Sequence, residues 1–480
     1  MTRARKVGFA LTGLVGALFL TRAGCMCASR MKPPGDGVVS LPPGPAKRDG
    51  ALLRYGESWL RKRGTVWELG LAGPPTARGG AVSTLLRKQM VDDEQELYSG
   101  FEKAVPFAPA RWAIMDLGRF GYRHVDQGIP EPYRWEILGI ATGFQPDPFT
   151  GIMPSYQRFT FLYAVYDIAL SFEKSPLIGC TTFTVPPSTP AATGDSLEAE
   201  SKGHAFLARN FDFEAGDPFD RDKVVYLVRE PDRIPFASIG WPGFVGVVSG
   251  MNREGVALVV HGGRASQPKT TGIPVVFSLR EALGRAKTTE EAVAVLSAHD
   301  VMVSHIVIVT DASGDTAVVE RAPGKAAFVR RTKAALATTN HFEGPLMGDP
   351  RDTEVRAKTS TLARRKRGDA LVAKLDRPGV ATMVDLLRDK KGPDGEDIPL
   401  GDRRAIDALI ATHAVVFDTT ARTVWVSEFP HVMGRFVRFD LRTLLADGYA
   451  PTGAAPEVVT VPADPLLTSG GYDLLRLGYP

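Results

Sequence analysis

From residue 181 onward the sequence is a succession of short runs rich in β-branched and apolar residues. Each run has the length and composition of a β-strand, and Gly, Asp and Asn turns separate several of them. Predicted helices interrupt the series at Ser278–Ala286, Thr289–Ala298 and Thr382–Lys390. Many antiparallel-looking strands with intervening helices predict an α+β class, in which helices cover sheets. The predicted strands are Thr181–Val185, Ala205–Phe213, Lys223–Val228, Phe244–Ser249, Val256–His261, His305–Thr310, Thr316–Ala322, Lys333–Thr339, His413–Asp418 and Thr423–Phe429.

The chain before Cys180 has a different periodicity. Residues 85–179 carry longer amphipathic stretches, which predict a mainly helical N-terminal part. Residues 29–84 are predicted to be a linker and a poorly defined N-terminal segment, because residues 29–50 are rich in Pro, Gly and Lys. Residues 180–480 then form the remaining domain. The predicted helices are Val91–Ala104, Tyr133–Gly143 and Tyr156–Glu173.

The first 28 residues have the pattern of a secretory signal peptide or lipoprotein signal. A charged start is followed by the apolar run Val7–Leu20 and by small residues around Cys25. The run is shorter than the roughly 20 residues that cross a bilayer. Ala-Gly-Cys resembles the end of a bacterial lipobox, although Arg22 departs from that motif, and an uncleaved anchor is the third alternative. We expect an exported protein that is periplasmic, secreted or anchored to a membrane through its N-terminus.

Net charge and motifs exclude several classes of partner. The formal net charge of +4 is small for 480 residues, and nucleic-acid binding requires clustered basic charge, so no nucleic acid is expected. No Walker or dinucleotide glycine loop is present, so no nucleotide cofactor is expected. The histidines show no metal-ligand spacing, which predicts that no metal is bound.

Cys180 is the candidate nucleophile. If the signal is removed it is the sole remaining cysteine, and a leftover thiol in an exported protein is either reactive or a buried packing residue. Gly179 precedes it, and a glycine can adopt backbone conformations that other residues reach only with strain. The thiol could then attack the Gly179 carbonyl, and the freed amine, with a reference pKa of about 7.7–8.0, could act as the base for its own thiol.

Four further residues are candidates on local grounds. Arg209 and Asp212 lie three apart in a predicted strand, so they share one site only if a bend separates them. Asn340 ends an apolar strand, where its amide either donates to an oxyanion or caps a turn. His261 follows the predicted strand after the Gly250–Gly255 turn.

These segments occur in an order that resembles a known family. They are similar to the N-terminal nucleophile (Ntn) hydrolases of the penicillin acyltransferase (acyl-coenzyme A:6-aminopenicillanic acid acyltransferase-like) cysteine family. Acid ceramidase, N-acylethanolamine acid amidase and choloylglycine hydrolase are related to it. The resemblance spans about residues 130–445 and is carried by Trp135–Gly143, Cys180–Thr182, Arg209–Phe213, Gly250–Gly255, Thr338–Phe342 and Thr412–Ser427.

The resemblance implies a four-layer αββα domain over residues 180–480 and cleavage between Gly179 and Cys180. It implies that Cys180 is the nucleophile, that Arg209 lies beside its sulfur and that Asp212 binds the freed amine. Asn340 would stabilise the oxyanion. Arg364 is the best match to a further family arginine, with Arg365 as its rival. The helical part, residues 85–179, would be a propeptide or a small chain that stays associated after processing.

The resemblance also implies a reaction. An acyl-enzyme on Cys180 would form from a linear amide, a small acyl amide or lipid-like molecule, and pass to water or an amine. His261 stands where several relatives have an oxyanion-hole Asn, so either His261 would donate that hydrogen bond or the hole would use Asn340 and backbone amides. Two alternatives remain open, namely a phospholipase-B-like lipid ester hydrolase and a catalytically inactive exported binding protein.

Overall fold

The computed structural model describes residues 22–37, 39–171, 178–188, 196–213 and 217–476. The predicted export signal, residues 1–28, lies outside the described residues as far as residue 21, and residues 22–28 are helical. None of the helices in the described ranges has both the length and the apolar character needed to span a membrane.

Eleven strands form the first sheet. Their order is β1-β2-β3-β4-β7-β8-β9-β10-β11-β12-β13, and every pairing is antiparallel except that of β4 with β7. These strands are β1 (Lys47–Asp49), β2 (Leu52–Tyr55), β3 (Ser58–Arg63), β4 (Val66–Leu71), β7 (Val224–Val228), β8 (Phe236–Gly240), β9 (Ser249–Asn252), β10 (Ala257–Gly262), β11 (His305–Thr310), β12 (Thr316–Arg321) and β13 (Phe328–Thr332).

Seven strands form the second sheet, which is antiparallel. Their order is β14-β5-β6-β15-β16-β17-β18, so β5 is paired on both sides. These strands are β5 (Ile178–Val185), β6 (Phe206–Phe213), β14 (Leu336–Thr338), β15 (Ala411–Asp418), β16 (Thr423–Ser427), β17 (Phe436–Asp440) and β18 (Thr460–Val461).

Along the sequence, one group of helices lies between β4 and β5 and most of the others separate later strands. The predicted helices Val91–Ala104 and Tyr133–Gly143 fall within α3 and α5, whereas Tyr156–Glu173 is divided between α6 and α7 and ends outside the described residues. The helices are α1 (22–28), α2 (Pro75–Leu85), α3 (Arg87–Ala104), α4 (Ala108–Gly121), α5 (Glu131–Gly143), α6 (Ser155–Tyr163), α7 (Val165–Ser171), α8 (Leu197–Ser201), α9 (Pro218–Arg221), α10 (Val275–Arg285), α11 (Thr289–Ser297), α12 (Pro350–Lys358), α13 (Thr361–Val372), α14 (Val380–Leu387), α15 (Leu441–Leu444), α16 (Pro465–Thr468) and α17 (Gly471–Arg476). Short 3₁₀ helices span Val125–Gly128 and Pro345–Gly348.

Three apolar cores hold four layers together. Residues of facing strands, such as Val259 and Phe417, share the core between the two sheets. On the outer surface of the first sheet, Val260 belongs to a core with Ile137 of α5. The outer surface of the second sheet is covered by α14 through Met383. The predicted α+β class and its four-layer αββα arrangement are therefore confirmed.

The prediction of a linker and a poorly defined segment over residues 29–84 is wrong for β1 to β4. Trp59 and Val66 point into the core between the sheets, and β4 runs parallel to β7 of the region after Cys180. The sequence did not predict these strands, because their charged residues are typical of exposed segments. In the structure some of these charges are buried as ion pairs. Arg61 Nη2 donates to Glu68 Oε1 at 2.7 Å, and both side chains are buried.

A buried ion network joins the helices before Cys180 to those after it. Glu136 of α5 is fully buried and accepts from Arg78 of α2 and from Arg280 of α10, at 2.8 Å each. Glu230 also contacts Arg280. Burial by itself raises the pKa of Glu136, but the two guanidinium groups outweigh it and lower the pKa below its usual value. Glu136 is therefore held as a carboxylate between the two parts of the chain.

We expect Glu136→Gln to lower the free energy of unfolding by about 3 kcal/mol, because it leaves only the carboxylate of Glu230 to balance the buried charges of Arg78 and Arg280. Because the pKa of Glu136 is lowered on folding, its contribution is present above pH about 4.3 and is lost as the pH falls below the folded pKa. Chemical denaturation of Glu136→Gln, with the exposed Glu131→Gln on the same helix as control, measures this. Equal stability of the two variants would contradict the expectation.

Candidate active site

Cys180 lies inside strand β5 and is fully buried. It pairs with Phe211 of β6, and its Sγ lies 3.9 Å from the carbonyl oxygen of Val260 in the first sheet. The sulfur therefore lies between the two sheets. Gly179 precedes Cys180 in the same strand.

Arg209 of β6 lies against the sulfur. Its Nη2 is 3.1 Å from Cys180 Sγ, and its other donor bonds go to the carbonyl oxygens of Val248 and Val260, at 2.5 Å each. Ser249 Oγ, 2.6 Å from Arg209 Nη1 and 2.9 Å from His413 Nε2, completes this buried group. Burial raises the pKa of the Cys180 thiol, and the Arg209 guanidinium opposes that rise. The cation thus favours a thiolate at a site where burial alone disfavours one.

Arg209 and Asp212 lie on opposite faces of β6, as the strand alternation requires. Asn210, which shares the Asp212 face, donates to the carbonyl oxygens of Leu387 and Ile406 in the outer helical layer. Arg209 and Asp212 nevertheless lie beside the same short segment of β5. Arg209 reaches the sulfur between the sheets, and Asp212 pairs with Gly179 on the neighbouring strand. No bend within β6 is needed to bring the two to one site.

Asp212 explains why residue 179 is glycine. A Cβ placed on Gly179 would lie 3.1 Å from Asp212 Oδ2, so a larger residue would crowd the carboxyl group. The backbone of Gly179 is a regular part of β5, so lateral space rather than unusual backbone freedom accounts for it. Burial raises the pKa of Asp212 to about 7, opposed by Arg364 and assisted by Asp407. A carboxyl group with this pKa can accept or release a proton near neutral pH.

Asn340 and Arg364 hold the main chain of Cys180. Asn340 Oδ1 accepts from Cys180 N at 2.8 Å and from Arg364 Nη2 at 3.0 Å, while Asn340 Nδ2 donates to Gly262 O at 3.1 Å. Arg364 also donates to the carbonyl oxygen of Cys180 and to Thr181 Oγ1. The rival candidate, Arg365, pairs with Asp369 instead. The structure therefore brings Arg364 into the site and leaves Arg365 outside it.

His261 bonds through both ring nitrogens. Its Nδ1 is 3.1 Å from the carbonyl oxygen of Thr339, which can only accept, so this nitrogen is the donor. Its Nε2 lies 2.6 Å from Thr182 Oγ1 and accepts from that hydroxyl. Burial and then the Arg209 charge lower the pKa of His261 well below its usual value, so the ring is neutral. Both ring nitrogens of His261 therefore bond within the protein in this structure, which favours the alternative that an oxyanion hole uses Asn340 and backbone amides.

A cavity of about 660 Å³ opens beside Gly179. Gly179, Asp212, Asn340 and Arg364 line it, and Cys180 is not among the described residues of its wall. The cavity thus reaches the residue before Cys180, while the sulfur itself is buried. Five cationic side chains and two carboxyl groups belong to the lining, namely Arg264, Arg351, Lys358, Arg364, Arg403, Asp212 and Glu354.

Several residues of this site carry no signal in the sequence. Ser249 and His413 support Arg209 from two different strands, and Thr361 Oγ1 accepts from the main chain of Asn340 at 2.9 Å. Arg403 reaches the cavity from a loop. Within the described ranges, no group of three or more His, Cys, Asp or Glu side chains is placed to hold a metal ion.

Part of the chain matches a known family. Residues 199–428 match the sequence model of the family described as acyl-coenzyme A:6-aminopenicillanic acid acyl-transferase. The resemblance expected from the motifs is confirmed over this range. The match includes Arg209, Asp212, His261, Asn340 and Arg364, and it begins after Cys180.

Individual relatives are distant. An uncharacterized protein of Archaeoglobus fulgidus is 24% identical over 279 residues, which are 55% of this chain and 43% of that protein, so the chain spans less than half the length of this relative. The N-acylethanolamine-hydrolyzing acid amidase ortholog of Caenorhabditis elegans is 17% identical, with a TM-score of 0.36 over 50% of this chain and 93% of its own. Penicillin V acylase of Agrobacterium tumefaciens is 16% identical, with a TM-score of 0.35 over 59% and 99%.

Proposed function

We propose that this protein is a cysteine Ntn hydrolase or acyltransferase that activates itself by cutting before Cys180 and then cleaves linear amides. One observation carries the proposal. A fully buried thiol lies 3.1 Å from a guanidinium group, and the residue on its N-terminal side lines a cavity. Cutting the Gly179–Cys180 bond would open the path from the cavity to the sulfur.

Self-cleavage would proceed by an acyl shift. Cys180 Sγ bonds to the carbonyl carbon of Gly179 while the C–N bond of that peptide breaks, and the thiol proton ends on the released nitrogen. Water then hydrolyses the thioester, which yields the Gly179 carboxylate and a free thiol. Asn340 Oδ1, 2.8 Å from the nitrogen of Cys180, would hold the leaving amine. Asp212, with its pKa near 7, would accept and release the proton that passes from the Cys180 thiol to the released nitrogen.

Turnover would reuse the same groups. The freed α-amine takes the proton of the Cys180 thiol, and Arg209 stabilises the resulting thiolate. The thiolate attacks the amide carbonyl of the substrate, the leaving amine takes the proton back, and an acyl-thioester remains on Cys180. Asn340, which lines the cavity, would donate to the tetrahedral oxyanion through Nδ2. Water or a second amine then accepts the acyl group.

The N-terminal part would remain bound after cleavage. Strand β4 pairs with β7 across five residue positions, and Glu136 joins two arginines from either side of the cut. Release would expose one long edge of the first sheet and leave buried charges unpaired, which is costly. We therefore favour a small chain that stays associated over a propeptide that is released.

We expect purified protein to separate under denaturing conditions into two fragments, the larger beginning with Cys180. Cys180→Ala should remain one chain, because it has no sulfur to attack the Gly179 carbonyl. Cys27→Ala, at an exposed cysteine, is the control and should be processed like the wild type. N-terminal sequencing and intact mass measurement test this, and a cut elsewhere or a processed Cys180→Ala variant would contradict the proposal.

The pH dependence of processing should follow Asp212. Because burial raises the pKa of Asp212 to about 7, the carboxylate form predominates only above that pH, and processing should accelerate as the pH rises through 7. Asp212→Asn should remove this limb, and Asp212→Asn or Asn340→Ala should lower turnover by about 10²-fold. The exposed Asp376→Asn is the control. Persistence of the same limb in Asp212→Asn would assign the titration to another group.

The charges of the cavity further suggest an acidic substrate. Its lining carries more guanidinium and ammonium groups than carboxyl groups, and Asp212 is partly neutral near pH 7. Guanidinium groups bind carboxylate, sulfonate and phosphate through charge-assisted hydrogen bonds. We therefore propose an amide substrate with an anionic group on its acyl or amine portion.

For an N-acyl amino acid as substrate, Arg264→Gln should raise KM about tenfold, which corresponds to one lost charge-assisted hydrogen bond. KM for the same molecule with its carboxylate converted to a neutral amide should change less than about twofold. Lys366→Gln, a surface lysine of α13, is the control. An equal rise in KM for both substrates would contradict recognition of the anionic group by Arg264. It would not contradict the proposal that Cys180 is the nucleophile.

A further inference from the structure

A second cavity, of about 130 Å³, lies where α3 and α6 meet the loop after β8. It shares no lining residue with the cavity beside Gly179 among the described parts of the chain. An apolar cavity of about 150 Å³ can hold a benzene ring, so this one accommodates an organic group of about six carbon atoms. Aromatic rings form much of its lining, namely those of Phe159, Tyr163, Phe213, Phe219, Trp241 and Phe244.

The loop that carries Trp241 is fixed in place by packing and hydrogen bonds. Phe244 stacks on Trp241 with the two ring centroids 4.2 Å apart. The hydroxyl of Tyr226 donates to the carbonyl oxygen of Trp241 at 2.7 Å, and the hydroxyl of Tyr163 donates to that of Gly243 at 2.5 Å. The aromatic wall is therefore formed before any ligand binds, as is usual for small-molecule sites.

Two carboxyl groups of α3 also line this cavity, and they differ in their partners. Glu94 pairs with Arg158 at 2.5 Å. Asp93 is only 8% exposed, and its Oδ1 lies 3.5 Å from Arg221, which is long for a charge-assisted hydrogen bond. Asp93 Oδ2 is buried and has no hydrogen-bond partner among the described residues. Rotation about χ2, a soft torsion in aspartate, can present either oxygen to the cavity, so Asp93 offers it an unsatisfied acceptor.

The charges around Asp93 favour a cation over an anion. Burial, and then the charge of Asp222, raise the pKa of Asp93 to about 8, and Arg221 opposes the rise. Arg221 is shared with two other carboxyl groups, those of Asp222 at 2.9 Å and Glu96 at 3.5 Å. A positively charged ligand would donate to Asp93 and balance this excess of carboxyl groups, whereas an anion would be repelled.

We propose that this second cavity binds a small primary amine in its protonated form, with the ammonium group at Asp93 and an apolar group of about six carbon atoms against Trp241. The faces of tryptophan and phenylalanine rings attract cations and also pack against hydrocarbon, so the wall suits both parts of such a ligand. The inference is independent of the chemistry at Cys180. The cavity beside Gly179 has an excess of cationic groups in its lining and does not favour the same ligand.

The test measures the Kd of n-hexylammonium for the full chain by ligand-observed NMR titration. A pH of about 8.5 is suitable, because the carboxylate of Asp93 and an alkylammonium group both predominate there. Hexanol, which has the same hydrocarbon chain without the charge, is the comparison ligand. The wild type should bind n-hexylammonium at least about tenfold more tightly than hexanol, as expected for a hydrogen bond to a charged group.

Asp93→Asn should weaken the binding of n-hexylammonium at least about tenfold and change that of hexanol less than about twofold. Asp92→Asn is the matched control, because it removes the same charge from the neighbouring, exposed position of α3. Its effect on either ligand should be less than about twofold, since solvent and salt screen an exposed charge. Trp241→Leu should weaken the binding of n-hexylammonium at least about threefold, because it removes an aromatic face.

Equal affinity of the wild type for n-hexylammonium and hexanol would overturn the proposal, and so would binding of n-hexylammonium that does not saturate. These two results need no variant, so they decide the matter even if a substitution prevents folding. Equal weakening by Asp93→Asn and Asp92→Asn would also overturn it, because the amine would then respond to the general charge of the surface. An unchanged Kd in a folded Trp241→Leu would place the amine outside this cavity and overturn it as well.

Discussion

Two buried guanidinium groups hold Cys180 from the two faces of β5. Arg209 meets the sulfur between the sheets, and Arg364 meets the carbonyl oxygen from the outer helical layer. A buried cation is costly unless acceptors surround it, and Arg209 donates to the carbonyl oxygen of Val260 and the hydroxyl of Ser249 in the first sheet and to the carbonyl oxygen of Val248 just before it. The bond from Arg209 to the sulfur is thus available only when both sheets are packed together, so the candidate site depends on the four-layer fold.

The four-layer fold on which the candidate site depends includes the part of the chain before Cys180. Strands β1 to β4 continue the first sheet, and the carboxylate of Glu136 satisfies arginines of α2 and α10. Hydrogen bonds of the sheet and buried ion pairs are independent of the covalent bond at Gly179. One peptide bond can therefore be removed at the centre of the protein without removing the contacts that hold its two sides together. This separation of covalent from non-covalent connection is what a self-cleaving enzyme requires.

The protein departs from the usual distribution of polar and apolar residues in two places. Around Cys180, charged side chains are buried because main-chain and amide oxygens satisfy them. On α4, the apolar side chains of Phe107, Ile114 and Leu117 are exposed. Both departures cost free energy in an isolated water-soluble domain, and the first coincides with the proposed catalytic function.

The local pattern of the sequence predicted the α+β class and most strands after Cys180, because side-chain alternation and turn residues act over a few neighbours. The predicted strand Phe244–Ser249 is wrong, since only Ser249 of that range lies in a strand. The strands Phe236–Gly240, Phe328–Thr332, Phe436–Asp440 and Thr460–Val461 were not predicted. The choice between Arg364 and Arg365 required the tertiary structure, since adjacent residues of a helix point in directions about 100° apart. The strands of residues 47–71 were also found only in the tertiary structure. In the sequence Arg61 and Glu68 are typical of surface residues, whereas in the fold they form a buried ion pair. His261 followed a strand in the sequence, and only the packed sheets engaged both its nitrogens. Contacts between residues far apart in the chain fixed these outcomes, and no local period encodes them.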